Sequence, residues 1–590
     1  MVKKFFRDLL ASFMGAWIAL LLFGAVATIV VLGIIGSLGN SEPETVKPNS
    51  ILYLQLEGDI EETERPFSVQ MMDMIRNDRS KVQALNTLVR GIEEGIENRD
   101  IKVLYIECRG VAAAPATLHA LRDAVLKFKK SGKKVIAYGD YLTQGDYYVA
   151  SVADRLYLNK MGNVTLTGLS GTSLYYKDLL DKLGVKMQVF RVGTYKSAVE
   201  PVISNEMSEP ARAQMDTLFN TMWGFMRDEI ASARKLKPAQ IDSVVNSNIM
   251  FRTAETARKY GLVDSLITSR QVDGILAREV KEDEKNLNYV APALLAEQAN
   301  VFNNVGAPDQ VAVLYAVGEI AEGSESGIDC ETLVPVITEL ADDDNVKAMV
   351  LRVNSPGGSV FGSAEIGEAL EYFQSKKKPI VVSMGDYAAS GGYWISCHAN
   401  KIFADPLTLT GSIGVFGMIP DISGLMGKLG VTPQTVSTNP GSRMPNLFEP
   451  LTESQSATMQ QSIEEMYRLF VNRVATGRKL SDAKVRNIAE GRVWSAITAK
   501  KIGLVDQLGS LDEAIEEAAK LAKIAGNHSV VNYPQTDNSL FNALQNGSLM
   551  EYSMLTQLIG TEVNPVMVDG VYRLLNRRPE LALMPIMIFN

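Results

Sequence analysis

Gly385-Asp-Tyr-Ala-Ala-Ser390 repeats, with changes, a stretch found 246 residues earlier, Gly139-Asp-Tyr-Leu-Thr-Gln144. The echo extends in both directions. Ile101-Lys-Val-Leu-Tyr-Ile106 answers Val346-Lys-Ala-Met-Val-Leu351 at an offset of 245 residues, so a one-residue gap separates the two landmarks. Upstream, Leu52-Tyr53 with Gly58-Asp-Ile60 answers Leu314-Tyr315 with Gly318-Glu-Ile320. Downstream, Thr165-Leu-Thr-Gly168 answers Thr408-Leu-Thr-Gly411, and Gly261-Leu-Val-Asp264 answers Gly503-Leu-Val-Asp506. Landmarks in one order at a near-constant offset mean an internal repeat, one structural unit used twice. Within the second copy, Val311–Ala316, Ala348–Val353 and Ile380–Ser383 read as strands. Leu333–Leu340 and Ser363–Phe373 read as helices between them, and a further helix follows Ser390. Strands alternating with helices predict an α/β fold of βαβ crossovers on a mostly parallel sheet.

These landmarks divide the chain. Residues 1–8 are a short cationic N-terminus with Lys3, Lys4 and Arg7. Residues 9–38 are uncharged and longer than the roughly 20 apolar residues that a bilayer core needs. They are also longer than the apolar region usual in a cleaved signal peptide. The cationic flank predicts a cytoplasmic N-terminus and a single-pass anchor, with everything after it across the membrane. Residues 39–49 form a polar tether, 50–280 the first repeat, 281–310 a polar linker and 311–526 the second repeat. Residues 527–590 are a tail without a counterpart in the first copy. The 590-residue chain is 46% hydrophobic and 22% charged with a net charge of −9, and it has no long basic run, which speaks against nucleic acid as a partner. Cys108, Cys330 and Cys397 show no metal-ligand spacing and no disulfide framework.

The chemistry concentrates around Ser390. It falls between a strand and a helix, with two alanines before it and two glycines after it. A substrate backbone can approach such a turn, and a starting helix directs free N–H groups toward an oxyanion. Asn354-Ser-Pro-Gly-Gly-Ser359 offers a second strand-to-helix turn, whose Gly358 N–H can join that of Gly391 as a two-donor oxyanion hole. No Gly-Lys-Ser/Thr follows, which excludes a Walker-type phosphate loop. A nucleophilic serine needs a base. The three histidines are His119, in a patterned helix, His398, two helical turns past Ser390, and His528, near the tail, so a Ser-His-Asp triad is poorly supported. A lysine can serve if burial lowers its pKa. Lys196, in Gly193-Thr-Tyr-Lys-Ser-Ala-Val-Glu-Pro201 after the β-like run Met187–Val192, has small and apolar neighbours. From the residues alone, a surface lysine is the simpler reading.

Asn354-Ser-Pro-Gly-Gly358, Ala389-Ser-Gly-Gly-Tyr393, Gly411-Ser-Ile-Gly-Val-Phe-Gly417 and Tyr195-Lys-Ser-Ala-Val-Glu-Pro201 resemble, in order, the signature segments of the signal peptide peptidase A (protease IV) family in its long, two-copy bacterial form. The resemblance covers roughly residues 50–520. It implies tandem domains like those of the Clp protease subunit and the crotonases, and a membrane-anchored serine protease that degrades remnant signal peptides. It further implies Ser390 as nucleophile, Lys196 as general base, Gly358 and Gly391 as oxyanion donors, and Ser412 as a hydroxyl orienting the lysine. Peptide substrates, the bilayer and a homo-oligomer, a tetramer by resemblance, are the implied partners, and neither metal nor other cofactor is implied. The repeat supports a shared site independently. The first copy has Gln144 where the second has Ser390, and Ala112-Ala113 where the second has Gly357-Gly358. With Glu449-Pro450 answering Glu200-Pro201, the second copy has Pro445 opposite Lys196. Each copy thus holds what the other lacks. An acyl-CoA enzyme of the crotonase fold and a non-catalytic, peptide-binding membrane scaffold are the alternatives. The Ser390/Lys196 pair speaks against both.

Overall fold

The computed structural model describes residues 45–65, 69–70, 81–303, 309–324, 327–442, 445–534 and 580–583. The predicted anchor at 9–38 lies outside them. Among the described residues no helix is long and apolar enough to cross a membrane. The strands of the first half are β1 (Ser50–Glu61), β2 (Val82–Ala84), β3 (Ile101–Ala112), β4 (Lys134–Gly139), β5 (Arg155–Asn159), β6 (Lys186–Arg191), β7 (Ser265–Ile267) and β8 (Tyr289–Val290). Those of the second are β9 (Gln310–Val317), β10 (Ile320–Ala321), β11 (Ile328–Asp329), β12 (Val346–Ser355), β13 (Gly357–Ser359), β14 (Ile380–Ala389), β15 (Lys401–Ala404), β16 (Leu409–Gly411), β17 (Phe416–Asp421), β18 (Val493–Ser495), β19 (Gln507–Leu508), β20 (Ser529–Tyr533) and β21 (Glu580–Leu583).

Each copy builds the same parallel sheet. In the first the order is β8-β1-β3-β4-β5-β7, and in the second β20-β9-β12-β14-β15-β19. The central strands are near-continuous apolar runs because helices cover both faces of the sheet. Val350, Val381 and Phe403 face one layer with Ala514 and Ala518, while Met349, Leu351 and Val382 face the other with Ile366, Leu370 and Phe373. The halves also share a 26-residue helix, Glu209–Arg234 and Glu453–Arg478. Each closes on a left-handed lysine, Lys235 or Lys479. Each also ends on an arginine bound to the aspartate of the Gly-Leu-Val-Asp landmark, Arg234 to Asp264 and Arg478 to Asp506.

The structure departs from the sequence reading in three places. Residues 281–310, expected as a linker, contain β8, which pairs with β1, and the helix Pro292–Asn303, which packs on the helix Leu85–Glu97. They complete the first copy. Correspondingly, the tail expected to lack a counterpart begins with β20, which stands to β9 as β8 stands to β1. Last, Ser50 pairs with Ile101 and Gln310 with Val346, an offset of 260 that matches Gly58 to Gly318 but not Leu52-Tyr53 to Leu314-Tyr315. The latter likeness is out of register by two residues, a slip that keeps every side chain on its face and so escapes pattern reading.

A third sheet, in the order β11-β10-β13-β21-β17-β6, joins the halves. In it β6 of the first copy runs antiparallel to β17 of the second, with Arg191 opposite Phe416 and Lys186 opposite Asp421. This pairing carries the Gly193–Pro201 segment out of the first copy and across to the second.

Candidate active site

The gap in the repeat falls ahead of the serine's landmark, between Leu351 and Gly385. On β12 one residue lies between Val353 and Ser355, while on β14 three lie between their partners Met384 and Ala388. The surplus bulges at Gly385-Asp-Tyr387, and only Ala388-Ala389 stand between it and Ser390. Ser390 itself has φ 56° and ψ −117°, and Ser412 has φ 50°. Such backbone is sparsely populated by L-residues and costs on the order of 1–3 kcal/mol, so it persists only where surroundings impose it. Here Ser390 N–H donates to Gly411 O at 2.8 Å and Ser412 N–H to Arg492 O at 2.7 Å. The helix Gly391–Ser396 then starts as the sequence predicted, but it ends before His398.

Lys196 reaches this turn from the other half. Its Nζ lies 2.9 Å from Ser390 Oγ, 3.1 Å from Ser412 Oγ and 3.2 Å from Ser412 O. Lys196, Ser390 and Ser412 are each 0% exposed. Burial alone pushes the Lys196 ammonium well below its usual pKa, with no carboxylate contributing to hold it up. The geometry suits the neutral amine. Two N–H groups donate to the Ser412 oxygens, and the lone pair is left to accept from Ser390 O–H. The second copy is shaped around the lysine. A Cβ on Gly491 would lie 2.7 Å from Lys196 Cβ, and one on Gly414 would lie 3.4 Å from Lys196 Cδ. Glu490 holds the loop before it, its carbonyl accepting from Tyr195 N and its carboxylate from Thr194 N and Oγ1.

Gly358 and Gly391 also converge. A Cβ on Gly391 would sit 3.2 Å from Gly358 N and 2.5 Å from Ser363 Oγ, and one on Gly358 would strike Ile320 O at 2.0 Å. Neither position has room for a side chain. The five residues expected at the site are therefore brought together from both copies. The histidines are held elsewhere. Burial works against charge on His119, but Asp405 at 2.5 Å and Glu229 outweigh it and hold its pKa at about 10, which leaves an imidazolium and no base at neutral pH. His398 bonds Arg473 O, and His528 bonds Ile524 O.

Sequence reading missed the polar cluster behind the site. Arg352, on β12, donates to both Glu62 oxygens at 3.0 Å and to Ser383 Oγ at 3.0 Å. Asn354 Nδ2 donates to Glu62 and to Asp386, and Asn354 Oδ1 accepts from Tyr387 N. Asp386 accepts from Thr117 N at 2.9 Å and Thr117 Oγ1 at 2.6 Å. Burial works against the Arg352 charge, and Glu62 more than offsets it, raising the guanidinium pKa; burial pushes Asp386 up. Glu62 and Thr117 belong to the first copy, so this cluster locks both active-site strands to the half that brings the lysine. Its residues are some 270–290 positions apart, and no local pattern announces it. In the first copy the matching aspartate, Asp140, is exposed, and its side-chain partners among the described residues are local, Tyr138 and Asn159.

The matching first-copy turn is closed. Gln144 Oε1 accepts from Thr167 N and Gly168 N at 2.9 Å, and its Nε2 donates to Gly168 O at 3.0 Å. The glutamine occupies the turn where a nucleophile would stand. On the lysine side, the left-handed glycines Gly184 and Gly430, in Leu183-Gly-Val185 and Leu429-Gly-Val431, set the match between copies. Counting from them sets Ser442 opposite Lys196, counting from Glu200-Pro201 and Glu449-Pro450 sets Pro445 there, and neither residue is a base.

Comparison with known proteins agrees with this two-copy plan. The chain is 35% identical over 519 residues to Protease 4 of Salmonella typhi, covering 85% of this chain and 83% of that protein. It is 34% identical over 541 residues to Protease 4 of Haemophilus influenzae, covering 88% and 85%. It is 26% identical over 496 residues to the chloroplastic serine protease SPPA of Arabidopsis thaliana, covering 82% and 71%. Among solved structures, a ClpP1 mutant from Listeria monocytogenes matches 34% of this chain and 94% of its own at 16% identity and a TM-score of 0.24, too distant to bear on the fold. The profile of peptidase family S49 matches twice, at residues 127–283 and 372–525, once in each half, and the chain belongs to that family.

Proposed function

We propose that the chain is a membrane-anchored serine endopeptidase whose Ser390 and Lys196 form a dyad contributed by the two copies. The observation that carries this reading is the 2.9 Å contact between Lys196 Nζ and Ser390 Oγ in a fully buried setting. Neutral Lys196 takes the Ser390 hydroxyl proton as Oγ adds to the scissile carbonyl. Gly358 and Gly391 N–H groups donate to the oxyanion, a contribution of the kind worth roughly 10²–10³ in rate per donor. Lys196, now an ammonium held by the Ser412 oxygens, returns the proton to the departing amine. Water, deprotonated by the same lysine, then opens the acyl-enzyme and regenerates Ser390. Each copy has, on this reading, the architecture of a Clp protease or crotonase subunit.

Residues 9–38 serve as a single-pass anchor that holds the catalytic halves on the extracytoplasmic side of the inner membrane. The substrates are apolar peptides delivered at that surface, remnant signal peptides foremost, and the protein works as a homo-oligomer. A fluorophosphonate probe on the detergent-solubilised, full-length protein tests the dyad. It should label Ser390 in the parent and lose the label in Ser390→Ala and in Lys196→Ala. Equal labelling of Lys196→Ala would refute the lysine's role. N-terminal sequencing of the membrane-bound protein tests the anchor, and a start near Asn40 would refute it.

A further inference from the structure

A basic cavity of about 400 Å³ opens at the end of the first sheet where β1, β3 and β4 begin, opposite the end that carries the Gln144 turn. Five cations line it, Arg99, Lys102, Lys133, Lys134 and Lys281, against one carboxylate, Glu279. The chain as a whole has a net charge of −9, so this corner runs against its surroundings. Glu279 is engaged by Lys134 at 2.6 Å. Among the described residues Arg99 and Lys281 have no ion-pair partner.

The repeat supplies an internal comparison. Val135 stands opposite Leu104 as Ile380 stands opposite Met349, so the offset of 245 holds at this corner. Lys133 caps the helix Leu85–Glu97, donating to Gly95 O at 2.7 Å and Asn98 O at 2.6 Å. Its counterpart Lys378 caps the helix Cys330–Asp342 through Leu340 O, Ala341 O and Asp343 O. Lys102 Nζ donates to Arg99 O at 2.7 Å, and its counterpart Lys347 to Asp344 O at 2.8 Å. The scaffold is shared and the charges are not. Arg99 stands where the second copy has Asp344, and Asn49, before Ser50, stands where it has Asp309, before Gln310. Asp309 lies 3.5 Å from Lys347, whereas the Asn49 amide donates to Glu282 and brings Lys102 no charge. Burial and then the Lys102 charge push the Lys133 pKa down, and one carboxylate, Glu97, opposes them. Burial pushes Lys378 down as well, but there Asp343, Asp344 and Asp342 all oppose it. Like charges gathered without a counter-charge repel one another, and a bound anion relieves that repulsion.

The position of the cavity in the chain says which anion it meets. Asn49 is on its lining and is the last residue before β1. With residues 9–38 as the anchor, the chain from residue 38 to Asn49 spans at most about 40 Å when fully extended. We propose that this cavity binds the phosphate of an anionic phospholipid headgroup and so seats the first copy on the membrane by the end where β1, β3 and β4 begin. The inference rests on the anchor reading for what brings lipid to the cavity. Arg99 supplies a planar fork that matches two phosphate oxygens, and Lys102 and Lys281 act as point charges beside it. Each cation at an anionic surface raises partitioning about fivefold, and salt screens the effect.

The test uses full-length protein in nanodiscs of phosphatidylcholine or of an equal mixture with phosphatidylglycerol. Amide hydrogen exchange of peptides covering residues 98–103 and 130–135 reads contact at the cavity whether or not the enzyme is active. Exchange there should be several-fold slower in the anionic discs, and the difference should vanish at about 0.5 M salt. Arg99→Asp with Lys102→Gln removes two exposed cations that take no part in the proposed chemistry. The double variant should lose the slowing and keep the parental thermal midpoint, whereas Arg99→Lys should retain most of it. Equal exchange in the two kinds of disc overturns the inference, and so does a slowing that the double variant keeps. The same slowing by inorganic phosphate in neutral detergent, at matched phosphate concentration, overturns the lipid as occupant. A mature protein that begins near Asn40 yet sediments with phosphatidylglycerol vesicles, and not with phosphatidylcholine vesicles, would uphold the site and overturn the anchor alone.

Discussion

Replacing Lys196 with methionine keeps the stem's bulk and removes the titrating group, so it tests whether the native lysine is neutral. The sign follows from the burial. In the unfolded chain the ammonium holds its proton to about pH 10.4, and in the native protein it is lost well below that. Between those two values the unfolded state binds one proton more than the native state. Unfolding free energy of the parent therefore rises with pH there, by up to about 1.4 kcal/mol per pH unit. Below the native pKa both states are protonated and the slope vanishes. Above about 10.4 both are neutral and it vanishes again. Lys196→Met has no such term. From pH 8 to pH 10 the parent should gain about 2.5 kcal/mol on the variant, provided the buried lysine is neutral across that range.

Urea midpoints of the solubilised, full-length proteins, taken in parallel at half-unit pH steps, read this difference, and other titrations cancel. The intercept also reflects the three hydrogen bonds that methionine cannot make, so the slope is the diagnostic. Activity of the parent should climb through the same native pKa and reach a plateau, since only the free amine accepts the serine proton. Parallel stability curves, or a variant that falls further behind the parent as pH drops, would mean a charged, structural lysine. The base would then have to be sought elsewhere.

Ser390→Ala and Lys196→Ala should each lower kcat by at least ~10⁴, and the double variant should be scarcely worse, because a dyad is lost as a unit; single-turnover kinetics on the three proteins decides. Glu62→Gln strands a buried guanidinium and should destabilise by about 3–5 kcal/mol, whereas adding Arg352→Met should recover much of that loss, as read by denaturant titration. Gln144→Ala removes four hydrogen bonds from the closed first-copy turn and should cost about 1–3 kcal/mol of stability while leaving kcat intact, as thermal unfolding and peptide hydrolysis would show.

Much of the fold was legible because the repeat checks itself. A strand seen twice at one offset is harder to misread than a strand seen once, and β9, β12 and β14 all fell where the apolar runs placed them. What escaped has physical causes. β8 spans two residues and β20 five, both at sheet edges with alternating exposure, too short and too polar to register as strands. At the site, Ser390 and Gly358 carried local signatures, small residues at strand-to-helix turns. Lys196 did not, since its burial is created by Gly414, Gly491 and Glu490 of the other copy. The Glu62–Arg352–Asp386 cluster is likewise a property of the interface between copies and of no single segment.

The interface explains why a duplicated unit keeps one site here. A nucleophile at residue 144 would need a lysine delivered by a strand like β6, and the second copy has no lysine at either position that can answer Lys196, Ser442 or Pro445. Gln144 meets that situation by spending its amide on Thr167 and Gly168, which makes the first turn a rigid part of the scaffold. The second turn stays strained at Ser390 and Ser412, and the surroundings that impose the strain come from both halves. Thr117 and Glu62 grip β12 and β14 from behind, and β6 on β17 sets the lysine in front. Loosening either contact should therefore act on the same atoms. Weakening the β6–β17 pairing by Val189→Pro removes a strand N–H opposite Met418 without touching the dyad. It should slow fluorophosphonate labelling of Ser390 by lengthening the Lys196–Ser390 contact. It should also leave the protection of β12 and β14 amides from hydrogen exchange unchanged, because the rear cluster still holds them. Labelling at the parental rate would mean that the lysine is positioned by the Glu490–Gly491 turn alone and that the shared strand pair is dispensable to the chemistry.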